Sequence, residues 1–172
     1  RNIFLQHKSC LKTIIFCPPI VIDNWQREID KFSKMGKYVE PLVGTCKQRM
    51  ATLKNSEKKI FITNYESLDM EGLFWHVKPR QKTRILVDHG FETLVLDESH
   101  RCKNHSGKRT KLMIRIADKI FYKYLLTGTP ILQSAMDIWA QFRIMDGGIA
   151  LGKNFFSFRN FYFEDKNKNM PS

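Results

Sequence analysis

Short apolar runs alternate with amphipathic stretches along nearly the whole chain of 172 residues. The apolar runs are rich in β-branched and aromatic residues and end at Pro, Gly or polar residues, which is typical of buried strands. Between them, apolar residues recur at steps of three and four, as at Ile22, Trp25 and Ile29, which indicates helices that pack one face on a sheet. This alternation predicts crossover units, and therefore an α/β fold with a mainly parallel sheet. The predicted strands cover residues 13–17, 38–43, 60–63, 94–96 and 124–127.

The length predicts one domain, because domains usually hold about 100 to 200 residues. We assign residues 1–164 to this domain and residues 165–172, a polar run with Lys and Asn, to a frayed tail. Residues 1–9 have the character of the end of a helix already under way, so we expect a fragment of a longer protein. Because no apolar run approaches the roughly 18 residues of a membrane span, we expect no membrane partner.

The chain carries 29 Lys and Arg against 17 Asp and Glu, a formal net charge of +12. Such an excess favours a polyanionic partner, most often nucleic acid, although a generally basic surface has the same composition. One basic cluster, Lys78, Arg80, Lys82 and Arg84, fits either a phosphate backbone or a solvated face. The four cysteines show no paired spacing, which indicates reduced thiols and an intracellular location. We expect the cytoplasm of a bacterium or phage-infected cell, or the nucleus of a eukaryote.

Two predicted strands end in groups suited to chemistry. Residues 94–96 are apolar and are followed at once by Asp97 and Glu98, and the strand 124–127 ends in Thr127, Gly128 and Thr129. Because the carboxyl ends of parallel strands lie at one edge of a sheet, these groups are expected to converge. A phosphoryl-transfer site needs a carboxylate that holds a magnesium ion and a group that orients or deprotonates the attacking water. A buried strand that merely stops at a polar loop, with one acid as a helix cap, is the alternative.

Four segments together resemble one family. They are residues 14–28 (IIFCPPIVIDNWQRE), 60–68 (IFITNYESL), 94–104 (LVLDESHRCKN) and 125–139 (LLTGTPILQSAMDIW). In order and spacing they are similar to the first lobe of the Swi/Snf-type DNA translocase ATPases of helicase superfamily two, with residues 97–100 as the Walker B motif and residues 125–130 as motif three. The resemblance implies a RecA-like P-loop NTPase lobe, a three-layer sandwich, that uses ATP and Mg²⁺ and moves on double-stranded DNA beside a second RecA-like lobe of the same parent chain.

The resemblance also implies roles for single residues. Asp97 would hold the magnesium ion, Glu98 would activate water, and His100 would join them in catalysis. The motif-three residues Thr127, Gly128, Thr129 and Gln133 would couple the nucleotide to the DNA path, although the family usually has Asn where this chain has Gln133. The residues placed on the DNA-facing side are Pro18, Thr63, Asn64, Tyr65 and Lys103. Trp25 lies in the same group of motifs, but its position on an apolar helix face favours packing.

One part of the family pattern is missing. A phosphate-binding loop has the form G-x-x-x-x-G-K-[ST] between a strand and a helix, and the nearest match is Gly147 to Gly152 followed by Lys153 and Asn154. We reject this match, because it follows a predicted helix, lies after the acidic strand and offers Asn in place of a hydroxyl. We expect the real loop upstream of Arg1, and we expect the isolated chain to be inactive although the parent protein is an ATP hydrolase.

Two other functions stay open at this level. The first is a helicase that separates strands of DNA or acts on RNA. The second is a degenerate, non-catalytic lobe kept for DNA binding or scaffolding. The intact pair Asp97 and Glu98 speaks against the second alternative, and the missing phosphate loop speaks for it.

Two local patterns complete the sequence interpretation. Ser134 and Asp137 have the spacing of a capping box at the start of a helix that ends at Gly147. His100, Cys102 and His105 lie close in one basic loop and offer three zinc ligands, one fewer than a structural site uses.

Overall fold

The computed structural model describes residues 10–78, 83–131 and 133–163, with the backbone alone for residues 83–85. The helix end expected in residues 1–9, the tail at 165–172 and the basic residues Arg80 and Lys82 lie outside the described residues.

Among the described residues, five strands form one parallel sheet, in the spatial order Val39–Pro41, Ile60–Asn64, Thr13–Cys17, Thr93–Asp97 and Tyr122–Leu126. Two further strands, Trp75–Lys78 and Thr83–Leu86, form a separate antiparallel hairpin in a stretch where the sequence predicts no strand. The main sheet confirms the predicted α/β class, and it differs from the prediction chiefly in the second strand, which is much shorter than 38–43. The strands are β1 (Thr13–Cys17), β2 (Val39–Pro41), β3 (Ile60–Asn64), β4 (Trp75–Lys78), β5 (Thr83–Leu86), β6 (Thr93–Asp97) and β7 (Tyr122–Leu126).

The sheet is covered on both faces because its central strands are apolar on both sides. On β1, Ile14 and Phe16 belong to one buried cluster, and the alternate residues Ile15 and Cys17 belong to another. The first helix of the described residues packs in the cluster of Ile15, and the second and third helices pack in the cluster of Ile14. Helices therefore cover both faces of the sheet, which gives three layers. The helices are α1 (Ile22–Phe32), α2 (Cys46–Asn55), α3 (Lys108–Ala117), α4 (Asp137–Asp146) and α5 (Phe155–Phe163).

Two helix termini show how local sequence sets the elements. Thr45 and Gln48 form a capping box at the start of α2, in which the Gln48 N–H donates to Thr45 Oγ1 and the Thr45 N–H donates to Gln48 Oε1. The pair predicted as a capping box, Ser134 and Asp137, forms reciprocal bonds in the turn before α4: the Ser134 N–H donates to Asp137 Oδ2 over 3.5 Å and the Met136 N–H donates to Ser134 Oγ over 3.2 Å, while the regular helix begins only at Asp137. The predicted stop at Gly147 is confirmed by its left-handed conformation.

The parallel order brings the carboxyl ends of β1, β3, β6 and β7 to one edge, where the polar residues of the predicted motifs follow each strand. Among the described residues, no helix is both long and apolar enough to cross a bilayer.

Candidate functional site

Asp97 is the last residue of β6 and is held at two of its atoms. The Trp25 indole N–H on α1 donates to Asp97 Oδ2 over 2.8 Å. The Tyr65 hydroxyl, from the turn after β3, donates to the Asp97 main-chain carbonyl, also over 2.8 Å. Asp97 is therefore tied, through its carboxylate and its main-chain carbonyl, to segments that follow two other strands of the sheet.

Glu98 follows at once with a left-handed backbone, φ 53°. Among the described residues it is the only non-glycine with positive φ, a conformation that costs a residue with a side chain roughly 1 to 3 kcal/mol. The chain turns here from the strand into the 3₁₀ helix Ser99–Cys102. The turn separates the two carboxylates: Asp97 contacts α1, whereas Glu98 contacts His100.

His100 connects the ends of β6 and β7. Its Nδ1 lies 3.2 Å from Glu98 Oε2 and 3.1 Å from Thr127 Oγ1. Because an ionised carboxylate can only accept, the contact with Glu98 needs a proton on Nδ1, which the Thr127 oxygen then shares. The Thr129 N–H also donates to Thr127 Oγ1, over 3.2 Å. The predicted convergence of acids and hydroxyls at one sheet edge is therefore observed, with His100 between Glu98 and Thr127.

A buried glutamine, Gln141 on α4, braces this arrangement. Its Oε1 accepts a hydrogen bond from the Ser99 hydroxyl over 2.8 Å, and its Nε2 donates a hydrogen bond to the Pro130 carbonyl over 2.6 Å. The brace joins the segment after β6 to the segment after β7. Sequence reasoning missed Gln141, although a polar residue among the apolar positions of a helix was a usable signal.

The remaining motif-three residues lie on the surface. Gln133 is exposed, and its Oε1 accepts a hydrogen bond from Lys103 Nζ over 3.0 Å. Lys103 Nζ also lies 3.4 Å from Asp137 Oδ2. Gly128 is exposed, and a Cβ there would meet no described atom within 4 Å, so the fold of this lobe does not itself demand glycine. These residues link the segment after β6 to the start of α4.

The predicted DNA-facing residues at the end of β3 need a correction. Thr63 is 0% exposed and Tyr65 is 2% exposed, so in this structure neither side chain can reach DNA. Thr63 instead belongs to a buried network, and Tyr65 binds the Asp97 carbonyl, with burial raising the pKa of its hydroxyl. Asn64 and Pro18 are partly exposed, and their contact with DNA stays a prediction.

Arg49 on α2 organises that buried network, and sequence reasoning did not find it. Its Nη1 lies 2.8 Å from Thr63 Oγ1, 2.9 Å from Asn64 Oδ1 and 2.5 Å from Ser67 Oγ, and its Nε donates to the Gly44 carbonyl. Arg49 is 5% exposed, and burial lowers the pKa of its guanidinium. Neutral oxygens from three segments therefore satisfy a buried cation.

The segment that matched a phosphate loop has another structure. It follows α4 instead of a strand, and the Asp146 carboxylate accepts the N–H groups of Gly148, Ile149 and Ala150. Phosphate binding by such a loop needs backbone N–H groups that point at the ligand. Because an internal carboxylate occupies them here, the structure agrees with the rejection of this match.

The three zinc candidates do not meet. Cys102 is fully buried in the main core, and burial raises the pKa of its thiol to about 12, whereas zinc binds the thiolate. His100 faces Glu98, and the His105 ring stacks on Phe155 with centroids 3.5 Å apart. Within the described residues, no group of three or more His, Cys, Asp or Glu side chains is placed to hold a metal ion.

The chain is similar to one family model and to several known proteins. The model of the SNF2-related domain matches residues 2–169. Protein p41 of Acyrthosiphon pisum secondary endosymbiont phage 1 is 31% identical over 175 residues, which cover 95% of this chain and 35% of that protein. The TATA-binding protein-associated factor MOT1 of Saccharomyces cerevisiae is 27% identical over 146 residues, which cover 84% of this chain and 7% of MOT1.

A solved structure has the same fold. It is the Sulfolobus solfataricus SWI2/SNF2 ATPase core in complex with dsDNA, with a TM-score of 0.66 and 23% identity over 92% of this chain and 30% of that chain. The chain thus spans about a third or less of the length of these similar proteins. With the family model matched over nearly its whole length, this chain belongs to the SNF2-related domain family and has the RecA-like fold of the first lobe of Swi/Snf-type superfamily-two helicases.

Proposed function

We propose that this chain is the first motor lobe of a protein that couples ATP hydrolysis to movement on double-stranded DNA. The observation that carries the proposal is the contact of His100 with both Glu98 and Thr127, 3.2 and 3.1 Å away. It joins an acid after one strand to a hydroxyl after the next, at the edge where open α/β sheets bind ligands. Asp97, at the same edge, is held but still partly exposed.

Asp97 fits the role of magnesium ligand. Mg²⁺ is commonly bound by one or two carboxylates together with the substrate phosphates, so a site of this kind needs no cluster of protein ligands. A carboxylate has about four lone-pair sites, and the hydrogen bond from Trp25 uses one of them. When bound, the ion would supply positive charge that offsets the charge of the phosphate oxygens.

Glu98 fits the role of general base. Its side chain is 43% exposed, so water can reach it, and its contact with His100 holds one carboxylate oxygen. In the proposed step, Glu98 takes the proton of the attacking water while His100 and Thr127 keep the carboxylate in place. Thr127, which leads into the exposed loop at Gly128 and Thr129, would pass a change at the nucleotide to a second lobe.

Two observations support duplex DNA as the track. The chain has a net charge of +12, which favours a polyanion. The Sulfolobus protein with the same fold was solved with dsDNA. For this chain we keep Pro18, Asn64 and Lys103 as candidate contacts to the DNA backbone, since each is at least partly exposed.

We further propose that the 172-residue chain alone does not turn over ATP. It contains no complete G-x-x-x-x-G-K-[ST] pattern, and the N–H groups of its nearest match are bound to Asp146. The isolated chain should show no DNA-stimulated ATPase activity. Robust activity of this chain would contradict the proposal that it carries the acidic residues of a nucleotide site without the phosphate-binding loop.

The test of the motor is ATPase activity of the full-length protein with duplex DNA, single-stranded DNA and RNA. Greatest stimulation by duplex DNA supports a translocase, and greatest stimulation by single strands or RNA supports a strand-separating helicase. Binding to DNA without hydrolysis supports a scaffolding lobe. DNA binding should weaken steeply as salt rises, because phosphate contacts release counterions.

A further inference from the structure

We propose that Trp25 is a positioning residue for Asp97, the proposed magnesium ligand, and that its indole N–H fixes the orientation of the Asp97 carboxylate. The inference rests on the proposed function and deepens it. It gives a direct role in the nucleotide half of the site to a helix residue that sequence reasoning assigned to packing.

The contact crosses the end of the sheet. Trp25 lies in the first turns of α1, which directly follows β1, and its indole packs in the buried cluster of Ile15, Ile22 and Ile62. From this packed position the indole N–H donates a hydrogen bond to Asp97 Oδ2 on β6 over 2.8 Å. The ring is thus anchored by packing, while its polar end contacts the acid.

The three tryptophans of the chain differ at their indole N–H groups. Trp25 donates to a carboxylate, and Trp75 donates to the Leu68 carbonyl over 2.7 Å. Trp139 Nε1 is buried and has no hydrogen-bond partner among the described residues. A buried tryptophan can therefore pack without a charged acceptor for its N–H, as Trp139 does. We infer that the Trp25 contact serves to orient the Asp97 carboxylate.

Asp97 is fixed at its backbone as well. The Tyr65 hydroxyl holds its carbonyl over 2.8 Å, so side chain and main chain are both constrained. A ligand held in advance in its binding orientation loses less freedom when the ion arrives, which is the general benefit of preorganisation. Without the indole N–H, the Asp97 carboxylate can turn about its side-chain torsions and meets the ion less often in the right orientation.

The test is Trp25→Phe in the full-length protein, which keeps an aromatic ring in the cluster and removes the N–H. We expect kcat to fall about tenfold, equal to about 1.4 kcal/mol of barrier. At fixed ATP, the Mg²⁺ concentration for half-maximal activity should rise several-fold. Trp75→Phe is the matched control: it also removes a buried indole N–H bond, and it should lower Tm without changing the Mg²⁺ dependence.

A second measurement does not depend on turnover. In the ¹⁵N-indole spectrum, the signal that Trp25→Phe removes should shift when Mg²⁺ and ADP are added, and the signal that Trp75→Phe removes should not. An unmoved Trp25 signal, or a Trp25→Phe variant with wild-type Mg²⁺ dependence, would overturn the inference and leave the motor standing. A wild-type protein that hydrolyses no ATP would overturn the proposed function and this inference with it.

Discussion

The polar residues at the end of β3 and those at the ends of β6 and β7 lie on one sheet edge, but the first group is buried and the second is partly exposed. At the end of β3 and in the turn that follows it, Thr63 and Ser67 are 0% exposed and their hydroxyls contact Arg49. After β6 and β7, the side chains of Asp97, Glu98, His100 and Thr127 are all partly exposed. A closed network fixes the shape of a turn, whereas an open cluster keeps its acids accessible to a ligand.

The two regions are nevertheless connected. Tyr65, one residue beyond β3, sends its hydroxyl to the Asp97 carbonyl over 2.8 Å. The closed network therefore sets the position of a residue that supports the open cluster. We expect substitutions in the closed network to reduce stability first and substitutions in the open cluster to reduce activity first.

The largest effect is expected for Glu98→Gln in the open cluster. The change keeps the size of the side chain and removes the proton acceptor, and general-base help is typically worth about 10²- to 10⁴-fold. ATPase activity of the full-length protein should fall by that factor while Tm stays close to wild type. If Glu98→Gln instead lowered Tm strongly and left the rate unchanged, the open cluster would be structural and the comparison would be broken.

Arg49→Met should give the largest loss of stability. The variant removes a buried cation that contacts Thr63, Asn64 and Ser67, so hydrogen-bonding groups that are now paired lose a partner. Since each buried polar group left unsatisfied costs about 1 to 3 kcal/mol, the free energy of unfolding should fall by about 3 kcal/mol. Urea denaturation measures this change.

The control for that variant is Arg27→Met on α1. Arg27 is exposed, and its described hydrogen bond is a long one of 3.4 Å to the Asp23 carbonyl. A surface change of this kind is expected to stay within about 0.5 kcal/mol. Equal losses for Arg49 and Arg27 would remove the distinction between a closed network and an ordinary surface arginine.

Gln141→Leu should affect both properties, because Gln141 braces the open cluster from a buried position. The leucine keeps the volume but leaves the buried Ser99 hydroxyl without its 2.8 Å acceptor. We expect a loss of about 1 to 2 kcal/mol in unfolding free energy. We also expect reduced DNA-stimulated ATPase activity of the full-length protein, and an unchanged rate would show that the brace plays no part in coupling.

Thr45→Ala should give the smallest effect. It removes one half of the capping box of α2, the helix that carries Arg49. Loss of such a cap costs about 1 kcal/mol, which urea denaturation can detect. Thr45→Ser retains the capping oxygen and should be nearly neutral, so an equal loss in both variants would contradict the capping explanation.

Much of the site could be predicted because its residues follow strands directly. Asp97 and Glu98 come after an apolar run, and Thr127 comes after another, so strand parallelism alone brings them to one edge. Thr63 lies near the end of β3 and Tyr65 follows it, yet their side chains are buried. Position in a motif indicates which edge a residue lies on, but not whether its side chain faces solvent or core.

Helix starts show the same division. Thr45 and Gln48 carry the S/T-x-x-E/Q signature, which sequence reasoning overlooked, and they cap α2 at its first turn, whereas Ser134 and Asp137 have a similar spacing but cap a turn that precedes the regular helix. In the second case Asp137 Oδ2 accepts the Gln133 N–H over 2.9 Å as well as the Ser134 N–H over 3.5 Å. The same spacing therefore leads directly into a regular helix in one case and into a turn before the helix in the other.

By itself, the sequence determined the α/β class, the parallel sheet, the four ordered motifs and the acids at the end of β6, because periodicity and strand-end chemistry are local properties. Only the tertiary structure decided that Trp25 reaches Asp97, that Arg49 is buried among neutral oxygens and that Gln141 joins two strand ends. These contacts join residues 72, 14 to 18 and 42 positions apart, respectively. Such pairs meet through the packing of helices on the sheet, and no pattern within a short window of sequence encodes them.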